Sequence, residues 1–392
     1  MKRRPRRIAV VTGTRAEYGL LSPILRLILS ARSLRLQLLV TGKHLLPAFG
    51  RTVREIEADG FPIAARIPSG LSSDSEAAVS ASMARITAGC ARAFARLEPD
   101  LLLLLGDRYE VLAAAAAAVP FRLPIAHIHG GESTEGAIDE QIRHSVTKLS
   151  HLHFTATAAF RRRVIQMGED PRRVFAFGAP GLDDVRTAAS LGRDELARGL
   201  GLPLSRPWGV MTYNPATLSA RTASRESAAM IGAMSAVPGV VWACTLPNAD
   251  PDSLAIVRNL RAAARRDPDR FRVFSSLGRT RYLSLLRHAA VMAGNSSSGL
   301  LEAPSFGLPA VNVGDRQDGR LRAANVIDVR RTEAGAIAAA LRRALSPAFR
   351  GRLRSLQNPY AGRDACRRIV ETLKRTPLGK DLLKKRFHDL PR

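Results

Sequence analysis

Short apolar segments alternate with helical segments along almost the whole chain, and this alternation restricts the fold more than any other feature. The first half has strand-like segments at Ile8–Thr12, Leu36–Thr41, Leu101–Gly106, Ile125–His129, His151–Thr155 and Val174–Gly178. Apolar residues at helical spacing separate them at Tyr18–Ser30, Glu76–Leu97, Tyr109–Val119, Ile138–Leu149 and Ala158–Met167. Such alternation predicts parallel strands joined by right-handed helical crossovers.

The pattern restarts in the second half. Strands are predicted at Trp208–Thr212, Val240–Thr245, Phe271–Ser275, Ala289–Ala293, Ala310–Val313 and Ala324–Val329, and helices at Ala220–Met234, Ser253–Ala264, Arg281–Leu286, Ser298–Phe306 and Glu333–Leu345. A length of 392 residues also suggests two domains. We therefore predict an α/β fold of two Rossmann-like parallel-sheet domains facing across a cleft, residues 1–183 and 184–358. The polar, Pro-containing segment Asp183–Pro207 is the expected hinge, and residues 359–392 are expected to form a last helix, Ala361–Leu373, and a basic tail packing back on the first domain.

Composition excludes several classes of protein. A hydrophobic content of 46% with 24% charged residues is typical of a globular chain. No apolar stretch is both long and uncharged enough to span a bilayer, so we expect no membrane association. The basic start of the chain leads into a short strand rather than the apolar segment of a signal peptide. Cys90, Cys244 and Cys366 are far apart and form an odd set, which favours a reducing, cytoplasmic compartment.

The formal net charge of +26 raises nucleic acid as a partner. However, the arginines are spread among Ala and Leu, and aromatic residues make up only 5% of the chain. Since stacking on bases needs aromatic side chains, we expect no nucleic-acid function. Non-specific adhesion to polyanions remains open, and so does an Arg-rich genomic composition as the origin of the charge.

One segment in the second half has the pattern of a phosphate-binding turn. Between Gly294 and Arg316 the chain has an apolar run, a Gly/Ser turn, the start of a helix, and a second apolar run that ends in Gly-Asp-Arg. Ser296, Ser297 and Ser298 can cap the helix while its backbone N–H groups face an anion, and Glu302 can accept hydrogen bonds from ribose hydroxyls. An ordinary Ser-capped helix would give the same pattern.

The first half offers a second anion site. Arg15 follows the first predicted strand in a polar turn, at the end of the strand where open α/β sheets bind ligands. A guanidinium there can pair with a phosphate through two hydrogen bonds, although a solvated surface arginine would fit the same position.

Carboxylates collect after the next strands. Asp107 and Arg108 follow a run of five leucines, Glu132 follows the Gly-Gly turn after the next strand, and Asp139 lies on the helix beyond. A cluster of Asp107, Glu132 and Asp139 would offer acid and base groups near neutral pH, because repulsion raises some of their pKa values. A divalent-metal site and simple surface charges are the alternatives, and no tight ligand motif such as HExxH is present.

Seven segments carry a family resemblance: VTGTRAEYGLLSPIL, LVTGKHL, LLLGDRYEVLAAA, IAHIHGGESTEGAIDEQIRHSVTKLSHLHF, SLGRTRYLSLL, GNSSSGLLEAPSFGLPAVNVGDRQDGR and NPY at 358–360. In this order, and over nearly the whole chain, they resemble the hydrolysing UDP-N-acetylglucosamine 2-epimerases of sialic-acid-type sugar biosynthesis. The resemblance implies a GT-B-type fold with UDP between the halves. It also implies a homodimer or homotetramer, and a reaction without metal or NAD in which UDP is eliminated to leave a 2-acetamidoglucal, which water converts to free N-acetylmannosamine.

The resemblance also assigns roles to residues. It implies Asp107, Glu132 and Asp139 as acid and base groups, Arg15 and Arg108 beside the diphosphate, and Ser296, Ser297, Glu302 and Arg316 on the UDP moiety. His44 is expected to contact the sugar. Which carboxylate removes the proton from C2 stays open.

One position departs from the family pattern. Members commonly carry a His-Pro pair after the first strand of the second half, where this chain has Asn214-Pro215. Asparagine can donate a hydrogen bond but cannot carry charge or exchange a proton near neutral pH, and we expect Asn214 to act as such a donor. Some similar enzymes use UDP-2,4-diacetamido-2,4,6-trideoxyglucose in legionaminic acid synthesis. A GT-B glycosyltransferase and a non-catalytic UDP-sugar-binding protein also remain alternatives.

Overall fold

The computed structural model describes residues 4–47, 50–73, 75–135, 137–183, 185, 190–215, 222–247 and 252–390. The strands among these residues are β1 Arg6–Thr12, β2 Leu34–Thr41, β3 Ile63–Ile67, β4 Leu101–Leu105, β5 Ile125–Ile128, β6 Leu152–Thr155, β7 Val174–Ala176, β8 Trp208–Thr212, β9 Val241–Thr245, β10 Phe271–Phe274, β11 Val291–Gly294, β12 Ala310–Val313 and β13 Val326–Val329. The helices are α1 Arg15–Ser30, α2 Val53–Ala58, α3 Glu76–Leu97, α4 Tyr109–Ala118, α5 Asp139–Leu149, α6 Ala158–Gln166, α7 Arg193–Leu200, α8 Ala223–Ser235, α9 Ser253–Arg266, α10 Gly278–His288, α11 Ser298–Leu301, α12 Ala334–Leu345, α13 Pro347–Gly351, α14 Ala365–Arg375 and α15 Lys380–Leu383.

The strands form two parallel sheets, which confirms the predicted α/β class. One sheet has seven strands in the order β3-β2-β1-β4-β5-β6-β7, and the other has six in the order β10-β9-β8-β11-β12-β13. Strand order reverses between β1 and β4 in the first sheet and between β8 and β11 in the second. Ligands bind at the carboxyl ends of the strands beside such a reversal in open α/β sheets. The turns after β1, β4, β8 and β11 are therefore the expected ligand-binding positions.

The chain divides into two compact units. The first unit contains Met1–Glu132, Asp139–Asp183 and Tyr360–Arg392, and the second contains Ser133–Ile138 and Asp184–Pro359. Each has its own apolar core, made in the first unit by β1, β2, β4 and α1 and in the second by β8, β9, α8 and α12. Asp184, where the second domain is predicted to begin, lies outside the described residues.

The chain leaves the first unit and re-enters it at neighbouring points. The carboxylate of Asp183 accepts hydrogen bonds from the backbone N–H groups of Ala365 (2.9 Å) and Cys366 (2.5 Å) at the start of α14. The N–H of Ala179 donates to the carbonyl of Tyr360 at 2.9 Å. Helix α14 buries Cys366, Ile369, Val370 and Leu373 in the core of this unit.

Two differences between the predicted and the observed elements have a local cause. Strand β3 was not predicted, because its short sequence IAARI lies between two prolines and is only partly buried. The predicted helix Ser298–Phe306 is one α-helical turn, α11, followed by a 3-10 turn at Ala303–Phe306, since Pro304 cannot continue the helix. The predicted start of a helix at Ala220 lies outside the described residues. No helix in the described part of the chain is long and apolar enough to cross a membrane.

Candidate active site

The turn after β1 is held by reciprocal capping of α1. The Thr14 hydroxyl accepts from the N–H of Glu17 (3.4 Å), while the Glu17 carboxylate accepts from the N–H groups of Gly13 (2.9 Å) and Thr14 (3.2 Å). Arg15 is the first residue of the helix and is half-buried. The capping therefore fixes the backbone from which the Arg15 side chain extends.

A second buried glutamate, Glu110, packs beneath the same turn. A Cβ atom on Gly13 would lie 2.9 Å from Glu110 Cγ, and one on Gly42 would lie 2.9 Å from Glu110 Oε1, so both glycines leave room for this side chain. Glu110 forms an ion pair with Arg108 (Nε to Oε2, 3.4 Å). Burial, together with the charge of Glu110, raises the pKa of Glu17 to about 8, and this side chain is therefore mostly protonated at neutral pH.

Arg143 draws the carboxylates at the ends of β4 and β5 together. Its guanidinium is wholly buried and forms ion pairs with Asp107 and with Glu140 (2.9 Å), and it donates to the backbone carbonyl of Glu132 at 3.1 Å. Burial alone would lower the pKa of Arg143, but the charges of Asp107, Glu132 and Glu140 raise it. Two members of the predicted cluster, Asp107 and Glu132, thus lie around one cation together with Glu140, and this cation opposes their mutual repulsion.

Glu132 also contacts a histidine that the sequence-based selection left out. His129 Nδ1 lies 2.5 Å from Glu132 Oε1, and both side chains are buried. His129 has a φ of 67°, a conformation rare for residues other than glycine. In the sequence, its position directly before the Gly-Gly turn could have indicated that His129 belongs with Glu132. Asp139 is buried as the first residue of α5, on the helix that carries Arg143.

Two further histidines are buried and neutral. His44 contacts the hydroxyls of Thr12 (3.1 Å) and Thr52 (2.8 Å), and burial lowers its pKa to about 4. His127 contacts the carbonyl of Gly106 (2.8 Å) and the hydroxyl of Thr147 (3.1 Å), and burial lowers its pKa to about 3. Both ring nitrogens of His44 are occupied in this conformation, and its contact with a sugar stays a prediction.

In the second unit, an asparagine pair joins the ends of β8 and β11. The N–H of Asn214 donates to Asn295 Oδ1, and Asn295 Nδ2 donates to the Asn214 carbonyl, each at 2.7 Å. Gly294 allows this approach, since its φ is 129° and an added Cβ would lie 1.9 Å from the Thr212 carbonyl oxygen. Asn214 is therefore held rigidly at the point of strand reversal.

Residues that follow β12 contact the same asparagine pair. The Asn295 carbonyl accepts from Gln317 Nε2 at 2.7 Å and from Arg316 Nη1 at 3.4 Å. Among the described residues, the buried Nε of Arg316 has no hydrogen-bond partner. The structure thus brings Asn214 and Arg316 together through Asn295, which the sequence reasoning did not select.

Of the three serines predicted to cap the helix, Ser296 makes a capping contact and Ser297 does not. Ser296 Oγ accepts from the N–H of Ser298 (3.3 Å), whereas Ser297, the residue before α11, makes no side-chain cap. The hydroxyl of Ser298 instead accepts a hydrogen bond from the hydroxyl of Tyr282 at 2.7 Å. Glu302 directly follows α11 and is half-buried. Their contacts with a nucleotide stay predictions.

A large cavity lies away from the predicted site residues, and the described residues form no metal cluster. A cavity of about 660 Å³ lies at the opposite edge of the first sheet, among Arg4, Arg6, Pro99, Asp100, Arg122 and Pro124 near the starts of strands, and none of the predicted site residues lines it. Within the described ranges, no group of three or more His, Cys, Asp or Glu side chains is arranged to hold a metal ion.

Comparison with known proteins places these features in a family. The family model described as UDP-N-acetylglucosamine 2-epimerase matches residues 28–374. The GDP/UDP-N,N'-diacetylbacillosamine 2-epimerase (hydrolyzing) of Campylobacter jejuni is 38% identical over 82% of this chain and 84% of its own. The UDP-N,N'-diacetylbacillosamine 2-epimerase (hydrolyzing) of Legionella pneumophila is 37% identical over 97% of this chain and 98% of its own.

The fold has solved counterparts. The crystal structure of UDP-GlcNAc 2-epimerase from Neisseria meningitidis bound to UDP-GlcNAc superposes with a TM-score of 0.78. The similarity covers 94% of this chain and 100% of that one, at 16% identity, and therefore concerns the fold alone.

Proposed function

Because the chain belongs to the UDP-N-acetylglucosamine 2-epimerase family and is a hydrolysing 2-epimerase of UDP-sugars, we propose that its substrate is UDP-2,4-diacetamido-2,4,6-trideoxyglucose, the UDP form of N,N'-diacetylbacillosamine. The similarity to the Campylobacter and Legionella enzymes, whose names state this sugar, carries the proposal. UDP-N-acetylglucosamine, which lacks the C4 acetamido group, is the alternative substrate. We further propose that the protein is a homodimer or homotetramer and that it is cytoplasmic, and its three buried free cysteines suit a reducing compartment.

The residues of the second unit suit the nucleotide. Arg316 offers a buried guanidinium nitrogen, and Asn214, Ser296 and Ser297 offer neutral donors at the ends of β8 and β11. Positive charge and N–H groups stabilise a departing diphosphate without exchanging protons with it. In the proposed reaction these residues, with Glu302 on the ribose, hold UDP.

The residues of the first unit suit proton transfer at the hexose. One carboxylate of Asp107, Glu132 and Asp139 removes the proton from C2 while the C1–O bond to UDP breaks, which leaves a C1–C2 double bond. Water then adds its hydroxyl to C1, and a proton returns to C2 on the opposite face. Arg15 and Arg108 stabilise the charge that develops on the leaving diphosphate.

The test is turnover in D₂O without an acceptor. We expect proton NMR to show UDP, the free 2-epimeric sugar and deuterium at C2, because the returning proton comes from solvent. A kcat/KM for the diacetamido substrate at least about tenfold above that for UDP-N-acetylglucosamine would support the proposed specificity.

The other outcomes separate the alternatives. Faster turnover of UDP-N-acetylglucosamine would replace the proposed substrate. UDP release that requires an added acceptor would indicate a glycosyltransferase. Binding of both sugars without any turnover would indicate a binding protein, an option that Asn214 in place of the family histidine keeps open.

A further inference from the structure

The last residues of the chain lie beyond residue 374, where the family match ends, and they contact the first unit closely. Arg173 donates to the carbonyls of Leu382 (2.9 Å) and Asp381 (2.5 Å). Further on, the N–H of His388 donates to the carbonyl of Gly168 at 2.9 Å. Residues 380–388, called the tail below, are thus fixed at both ends.

Lys385, in the middle of the tail, caps the C-terminal end of α5. Its ammonium group donates to the carbonyls of Lys148 (2.5 Å), Ser150 (2.6 Å) and Thr147 (3.3 Å). The last carbonyls of a helix have no partner within it, and a cation there is favoured by the helix dipole. A residue more than two hundred positions away in the sequence therefore supplies the hydrogen-bond donors for the carbonyls at this helix end.

Glu169 joins the tail to two other elements. Its buried carboxylate accepts from Lys385 (2.8 Å), from Lys148 on α5 (2.6 Å) and from His153 on β6 (3.0 Å). Burial opposes its ionisation, but these hydrogen bonds prevail and lower the pKa of Glu169 to about 2. The carboxylate is thus charged at neutral pH and pairs with both lysines.

An aromatic contact adds to this anchor. The ring of Phe387 lies 5.1 Å from the ammonium of Lys148, and a Cβ on Gly168 would lie 2.4 Å from that ring. Gly168 therefore provides the space in which Phe387 docks. The tail contacts α5 through both Lys385 and Phe387.

The opposite end of α5 carries the groups of the candidate active site. Asp139 and Glu140 form its first turn, and Arg143 on the next turn pairs with Asp107. The backbone hydrogen bonds of α5 join its turns cooperatively, so loosening of its C-terminal end favours opening of the turns that carry Asp139 and Arg143. We propose that Lys385 is a positioning residue for the epimerisation, which it serves by fixing α5 along its axis; the kinetic part of this inference rests on the proposed function.

The experiment compares Lys385→Met with Lys384→Met in the full-length protein. Lys384 is the neighbouring, exposed lysine, and removing its charge leaves the tail contacts intact. Hydrogen exchange of α5 is measured together with kcat and KM for the UDP-sugar. Lys385→Arg serves as the conservative variant, since a guanidinium can also donate to carbonyls and to Glu169.

For Lys385→Met we expect faster exchange along α5 as far as Arg143. We also expect a fall in kcat of about tenfold or more, with KM within about twofold, because catalytic groups lose alignment while the nucleotide-binding residues are untouched. Lys384→Met should match the wild type, and Lys385→Arg should restore most of kcat. If Lys385→Met does not fold, Phe387→Ala should give the same pattern more weakly.

Two results would overturn the inference. Faster exchange confined to residues 147–149 would make Lys385 a local cap only. Unchanged kcat in Lys385→Met, with wild-type turnover established, would remove its role in the reaction. Since hydrogen exchange needs no turnover, a protein without epimerase activity would refute the proposed function and still leave the exchange measurement to decide whether Lys385 positions α5.

Discussion

The two sheets share a strand order around their reversal points but present different chemistry at their carboxyl ends. In the first unit the ends of β4 and β5 carry ionisable groups, with Asp107, Glu132 and Glu140 around Arg143. In the second unit the ends of the equivalent strands, β11 and β12, carry the amides Asn295 and Gln317 with Arg316 beside them, and Asn295 is paired with Asn214 at the end of β8.

This difference suggests a division of labour between equivalent positions. Carboxylates can take up and release protons, whereas amides and an arginine keep one protonation state over the range of pH in which enzymes work. The first arrangement suits bond-making chemistry, and the second suits the binding of a group that stays unchanged. If the two functions are divided in this way, mutations in one unit should change catalysis and mutations in the other should change nucleotide affinity.

The largest effect is expected at the first unit. Asp107→Asn keeps the shape of the side chain but removes its charge and basicity, and we expect kcat to fall by about 10²–10⁴-fold. The affinity for UDP, measured by calorimetry, should stay close to that of the wild type. A parallel loss of UDP affinity would show that the two functions are not separated. Asp170→Asn, at an exposed ion pair with Arg172, is the matched control.

The next effect is expected at the second unit. Arg316→Ala removes a buried cation, and we expect KM for the UDP-sugar and Kd for UDP to rise by about tenfold to hundredfold, the cost of a charge-assisted hydrogen bond. Calorimetric titration with UDP measures this directly. An unchanged Kd would mean that Arg316 does not bind the nucleotide. The control for loss of an arginine is Arg258→Ala, at an exposed position. Arg320 is unsuitable because its side chain contacts Thr134.

A smaller effect is expected for Asn214→His. If Asn214 acts as a hydrogen-bond donor, histidine can replace it, and we expect turnover within about tenfold of the parent. Steady-state kinetics of the two proteins decide this. A gain of several orders of magnitude would show that the parent lacks a catalytic group at this position, and the second unit would then also take part in the chemistry.

The smallest effect concerns stability and pH. The pKa of Glu17 is raised from about 4.5 in the unfolded chain to about 8, and its contribution to stability is therefore present below pH 4.5 and is lost as the pH rises through 8. Glu17→Gln mimics the protonated acid, so its melting temperature should equal that of the wild type at pH 4 and exceed it at pH 9. Thermal unfolding monitored by circular dichroism tests this. Glu76→Gln, at the exposed start of α3, should show no such crossover.

Local signals made much of the architecture predictable. Runs such as Leu101–Leu105 are buried along their whole length, and the polar residues after them lie at the strand ends where ligands bind. Asp107 and Arg108 could be selected for this reason alone. Strand β3 lacked such a run, and the break at Pro304 shortened a helix whose apolar spacing was otherwise regular.

The partners of the site residues were not predictable, because they come from distant parts of the chain. Asn295 and Asn214 are 81 positions apart, and Arg143 and Asp107 are 36 apart. A single sequence contains no signal that pairs these residues. Glu17 and Glu110 were missed for a related reason, since a glutamate near the start of a helix usually indicates a solvated cap rather than a buried acid.

The neighbouring hydrogen bonds at Asp183 and Tyr360 mark residues 184–359, the main segment of the second unit, as an insertion into the first. Its two boundaries in the first unit are adjacent, and a linker of a few residues could join Asp183 to Tyr360 without disturbing α14. Evolution could likewise exchange the inserted module while the host scaffold kept its own hydrophobic core.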